Sequence, residues 1–257
     1  MLAQSFPTSA AAEPGLTVSR VCGVETLPVP PLVTLHLWGV PGRRVPSAVL
    51  RMALDRRPLR RTPGLRFAKL LGTGNGRTFT ARDADPRHWG VLATWDGQSA
   101  ADAFEQGCIA CGWDDIAHER LRVRLRPLAS RGSWSGSRPF GEPVPDASHA
   151  GAVAAVTRAR IVTRKMATFW RSVPPVSADL HQVEGLRFAV GIGEAPVGLQ
   201  GTFSLWDSRQ ALTEFAHRRS PHVEAVRRTA ELGWYAEELF ARFAVLSVDG
   251  TFDGRAP

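Results

Sequence analysis

Apolar residues along this 257-residue chain fall into runs of two kinds, and the runs come twice in the same order. The first run, VTLHLWGV from Val33 to Val40, is rich in β-formers, ends at Pro-Gly, and predicts a strand. From Pro46 to Arg57 the residues Val49, Leu50, Met52, Ala53 and Leu54 group on one side of a helix. GLRFAKLLGTG, a charged loop from Arg82 to Arg87, and WGVLATWD then predict two strands and their connection. Ser99 to His118 returns to helical spacing with Ser99 as its N-cap, and LRVRLR from Leu121 to Arg126 has the strict period of two of a strand. The order β, α, β, β, α, β is that of a ferredoxin-like unit.

The second half repeats this order over Ala152–Ile161, Lys165–Asp179, Gly185–Gly191, Gly201–Trp206, Gln210–Glu231 and Leu239–Val248. Short identities mark the same places. GLRFA occurs at Gly64 and again at Gly185, WD at Trp95 and again at Trp206, and a Phe follows each Trp nine positions on, Phe104 and Phe215. A repeat of this length means one supersecondary unit used twice. The expected fold class is α+β, with tandem ferredoxin-like repeats forming a dimeric-α/β-barrel-type fold that leaves ligand space between sheet and helix. Residues 1–31 read as a flexible tail, 32–128 as the first repeat, 129–151 as a linker rich in Gly, Pro and Ser, and 152–257 as the second repeat.

Charge narrows the partners. The net charge of +8 comes mostly from Arg spread over the whole length, with no basic tail and no nucleic-acid-binding motif, so nucleic acid is not expected. An acidic protein or an anionic membrane surface fits the sign. The first basic residue is Arg20, the longest uncharged run is broken by prolines, and neither a signal peptide nor a membrane-spanning helix is expected. Cys22, Cys108 and Cys111 make no disulfide framework and no metal tetrad, which points to a cytoplasmic home; Cys108 and Cys111 read as small buried residues on one helix face.

Candidate chemistry is sparse. The glycines at Gly72, Gly74 and Gly76 are not followed by a helix that receives a phosphate, so they read as a permissive loop. RDADPR alternates in sign and reads as a solvated loop, and Arg122, Arg124 and Arg126 read as the solvated face of a strand. His217 and His222 stand five apart around Ser220-Pro221, which has the form of a helix start. In the first turn of such a helix His222 stays neutral, and it either ligates iron or caps its own helix. The first half has no histidine near the equivalent place.

The runs MALDRRPLRRTPGLRFAKLLGTGNGRTFTARDADPRHWGVLATW, FWRSVPPVSADL, GLRFAVGIGEAPVGLQGTFSLWD and GWYAEELFARFAVLS resemble the spheroidene monooxygenase family of carotenoid biosynthesis. That resemblance implies a haem b-dependent oxygenase that takes the C2 end of an acyclic carotenoid through hydroxylation to a ketone, with electrons from a ferredoxin. It places the axial ligand on His222, with His217 as the alternative, and it implies a polyene pocket with Phe169 and Trp170 in its lining or in the plain core. It also implies peripheral contact with a membrane, and homo-oligomers fit it. The same scaffold serves a haem enzyme acting on another apolar substrate, a cofactor-independent oxygenase, or a haem or lipid carrier without turnover.

Overall fold

The structure, a computed structural model, describes residues 19–21, 24–74, 83–144, 146, 148–162, 164, 183–194, 199–218 and 235–257. Strands β1 (Ser19–Val21) and β2 (Val24–Thr26) precede β3 (Leu32–Gly39), helices α1 (Val45–Leu54) and α2 (Arg56–Arg60), β4 (Leu65–Gly74) and β5 (Ala84–Trp95). Helices α3 (Gln98–Glu105) and α4 (Cys108–Asp114) lead to β6 (Glu119–Gly132) and β7 (Ser137–Arg138). Then come β8 (Val153–Ile161), β9 (Leu186–Gly193), β10 (Leu199–Trp206), α5 (Arg209–Arg218) and β11 (Tyr235–Gly250). The result is a mixed α+β fold in which eight antiparallel strands close a barrel in the order β10-β8-β11-β6-β3-β5-β4-β9. No helix among the described residues is long and apolar enough to cross a membrane.

The period of two decides what faces inward. Val33, Leu35 and Leu37 of β3, Leu121, Val123 and Leu125 of β6, and Phe203, Leu205, Leu239 and Phe243 of the second half fill the barrel with one continuous core. It is packed with side chains, as expected of a barrel this narrow. Several expectations change here. β6 continues to Gly132, and Trp134 and Phe140, inside the stretch read as a linker, are buried in the barrel core because the chain folds back across its end. β5 begins at Ala84, since pairing with β4 draws the charged loop into the sheet. The helical run from Ser99 breaks at Gly107 into α3 and α4; α3 starts at Gln98, with no side-chain cap. Cys108 and Cys111 are exposed, because the inward face of α4 is taken by Ala110 and Trp113.

The repeated motifs have a common physical meaning. Gly64 and Gly185 adopt φ of +70° and +82°, and a Cβ on either would lie 2.5 or 2.7 Å from the Cβ of Ala100 or Ala211. Their carbonyls accept the N–H of Asp96 and Asp207 at 2.8 and 2.9 Å. Beside these corners Trp95 packs on Phe104 with ring centroids 5.1 Å apart, and Trp206 on Phe215 at 5.4 Å. GLR and WD are thus the two sides of one corner that seats a helix on the sheet.

Of the arginine stripe of β6, Arg126 is exposed as expected, but Arg122 and Arg124 are not solvated. Arg122 reaches Asp114 at 2.9 Å, and Arg124 reaches Asp102 at 2.6 Å and Glu105 at 3.0 Å, so the outward side of β6 is tied to α3 and α4. His36, buried between Trp38 and Phe104, lies 3.3 Å from Glu105. Burial pushes the His36 imidazole toward its neutral form. Its hydrogen bond, reinforced by Arg124, outweighs desolvation and holds the Glu105 carboxyl down to about 2. A carboxyl with a depressed native pKa contributes stability above its unfolded value and loses it as pH falls through the native one. The stability that wild type has over Glu105→Gln should therefore be full above about pH 5 and shrink between the ordinary 4.5 and 2; denaturant unfolding across that range checks it.

Candidate functional site

Three charged clusters stand out, and in two of them each charge has an oppositely charged partner within the protein, although Arg158 keeps its Nε buried without an acceptor. At one end of the barrel Arg158, 4% exposed, points inward and pairs with Glu237 and with Glu194 at 3.2 Å. Glu194 also accepts from Trp134 and, at 2.8 Å, from Lys69. These groups line a cavity with Ser135 and Gly136, and they act as a polar stopper over the apolar core. The second cluster holds the chain end: His88 meets Asp85 at 2.5 Å and Glu119 at 3.0 Å and stacks on Phe252 at 4.2 Å. Burial opposes its charge, but Asp85 and Glu119 raise the His88 pKa. His88, Glu119 and Asp253 have the composition of a metal site. The oxygens of Glu119, however, accept from Thr251, Asp253 N and Gly254 N, each at 3.0 Å, so protein donors occupy the set.

The third cluster lies on the outer face of the second half, where the copies differ. Trp95 is opposite Leu32 and Leu65, and Trp206 is opposite Val153 and Leu186, which puts the two sheets in matching register. Counting along the strands then sets Thr157 at the place of His36, Ala159 at that of Trp38, Gly191 at that of Leu70 and Thr202 at that of Val91. The first face is filled by bulky side chains under α1 to α4, and His36 is 1% exposed. The second is floored by small ones, and Thr157 is exposed. Ser204 lies on this floor beneath Trp206, whose indole donates to its hydroxyl at 2.9 Å. Two arginines border it. Arg242 on β11 is opposite Ala155, and Arg209 opens α5.

Of the residues singled out in the sequence, His222, Phe169 and Trp170 lie outside the described residues. His217 falls in the last turn of α5, whose backbone is described there. The pared floor and the two arginines were not singled out; aligning the repeats strand by strand, Trp38 on Ala159, was the signal that would have found them.

No family model matches the chain. The spheroidene monooxygenase of Rhodobacter capsulatus is 37% identical over 234 residues, which cover 88% of this chain and 95% of that protein. The spheroidene monooxygenase of Rubrivivax gelatinosus is 37% identical over 222 residues, 86% of this chain and 80% of that one. Among solved structures, an aldoxime dehydratase in complex with butyraldoxime superposes with a TM-score of 0.55 at 11% identity, over 83% of this chain and 79% of that chain, a likeness of fold alone. With more than a third of its residues shared along nearly the whole Rhodobacter capsulatus protein, the chain belongs to the spheroidene monooxygenase family and is an oxidoreductase.

Proposed function

We propose that the protein is a haem b-dependent monooxygenase that oxidises an acyclic carotenoid at C2, by hydroxylation and then to a ketone, with electrons from a ferredoxin. The observation that carries this reading is the family membership, since both relatives bear the name spheroidene monooxygenase. The outer face of the second half supports it. Where the first half places His36, Trp38 and Leu70, the second places Thr157, Ala159 and Gly191, so the sheet carries a flatter surface there. Arg209 keeps its Nε buried without an acceptor at the edge of that face. Donors of this kind fit a macrocycle that carries carboxylates.

Bound haem would supply the oxygen activation that no side chain provides. The chain's own task is to hold it, with His222 as the axial ligand or His217 in its place, and to keep water away with apolar side chains, for which Phe169 and Trp170 are candidates. In this reading the halves are tandem ferredoxin-like units in a dimeric-α/β-barrel-type fold, the first structural and the second catalytic. The positive net charge of +8 favours an acidic electron donor.

The same reading brings the enzyme to a membrane, where a long polyene resides. Helix α1 buries only Ala48 and leaves Val49, Leu50 and Leu54 exposed at 53, 57 and 62%. Exposed Arg43, Arg44, Arg56, Arg57, Arg60 and Arg61 surround it, and Asp55 is the one acid between Gly42 and Arg61. Apolar residues ringed by arginines match an anionic bilayer surface, each cation being worth about 1 kcal/mol there.

Three outcomes are expected. The haem-loaded protein, given spheroidene, ferredoxin, reductase and 18O2, places labelled oxygen on the carotenoid; a fully loaded preparation that places none overturns the substrate. His222→Ala loses the Soret band while the melting temperature of the haem-free protein holds, and His217→Ala keeps the band; an unchanged spectrum in His222→Ala moves the ligand to His217. Vesicles containing phosphatidylglycerol pellet the protein and phosphatidylcholine vesicles do not, and the double variant Leu50→Glu, Leu54→Glu stays in the supernatant.

A further inference from the structure

Among the described residues the two halves differ in how one arginine is balanced. Arg124 and Arg242 occupy matching places on β6 and β11, opposite Thr34 and Ala155 respectively. Arg124 is neutralised from within, by Asp102 at 2.6 Å and Glu105 at 3.0 Å, both on α3. Those acids stand two residues before and one residue after Phe104. The positions at the same distances from Phe215 are Thr213 and Ala216. The arginine has been kept and its acids have gone.

Among the described residues no carboxylate contacts Arg242, which is half-buried. Its charged neighbour is another cation. Arg209, from the start of α5, donates to the carbonyl oxygen of Asp146, and its Nε is buried with no acceptor. Burial first, and then the charge of Arg209, pull the Arg242 guanidinium below the usual arginine range. A guanidinium nevertheless keeps its proton at any physiological pH. Two partly desolvated like charges repel, and an anion between them removes both the repulsion and the unmet donors. The geometry of a guanidinium selects a planar two-oxygen partner, a carboxylate, over a spherical ion.

We propose that Arg242, assisted by Arg209, binds a carboxylate of the flat cofactor on this face, taking over the role that Asp102 and Glu105 play toward Arg124. This rests on the haem reading, in which the carboxylate is a propionate. The two arginines then set how the ring is oriented on the sheet.

The test is titration of the haem-free protein with haemin and with haemin dimethyl ester, whose propionates are masked, followed by absorbance. Arg242→Gln should bind haemin about ten- to a hundredfold more weakly than wild type, the loss expected for one charge-assisted contact. Thr213→Asp should do the same without removing any arginine, because it restores at an exposed position the acid that the first half has. The ester should bind all three proteins with equal affinity. Haemin binding unchanged in Arg242→Gln and Thr213→Asp overturns the assignment while the haem reading stands, as does a loss that is equal for haemin and its ester. A wild-type protein that binds neither compound overturns the haem reading and the assignment together.

Discussion

The pairing of β6 with β11 is the constraint on which the rest of the molecule depends. It runs from Leu121 opposite Gly250 to Gly132 opposite Leu239, and it joins the last strand of one half to the last strand of the other. Once these strands are zipped, both sheets must curve toward each other, and the remaining seam between β4 and β9 closes the barrel. Closure leaves no free edge, and it brings two sets of inward side chains into one core. The interior is filled by apolar side chains, with a polar cavity at the end that Arg158, Glu194 and Glu237 close.

That geometry lets the two outer faces differ. Each outer face is sealed from the other by the core, so one can change without disturbing its counterpart. The first kept its layer of helices, with Trp38 donating to Asp114 at 2.8 Å and Trp113 to Asp55 at 3.0 Å, and it serves stability. The second gave up bulk at Thr157, Ala159 and Gly191 while retaining the corner built on Gly185, Trp206 and Phe215.

How much of this could be read in the sequence follows from the range of the interactions. The corner of Gly64 with Trp95 is made by residues whose types are constrained one by one, a left-handed glycine and a large aromatic, and so it left a literal repeat in the chain. The strand LRVRLR was legible because one strand carries its own period. Arg122 and Arg124 were misread as solvated since their partners, Asp102, Glu105 and Asp114, come from helices that only the tertiary fold brings overhead. The pared face left no motif either, because alanine and threonine in a strand are unremarkable until the register sets them against histidine and tryptophan. Trp134 and Phe140 escaped for a related reason: Gly, Pro and Ser around them signal a loop, and nothing local tells that the loop crosses the mouth of a barrel.

Among the described residues β6 and β11 share a long ladder, and β4 and β9 meet over Gly72 with Gly193, Thr73 with Ile192 and Gly74 with Gly191. Glycines supply four of those six residues, so side chains there add little to hold the strands together. The described part of the β4–β9 seam is therefore a clasp made mostly of backbone. Gly191 and Gly193 belong both to this clasp and to the outer face of the second half, so under the proposed function a group lying on that face would brace the seam that closes the barrel.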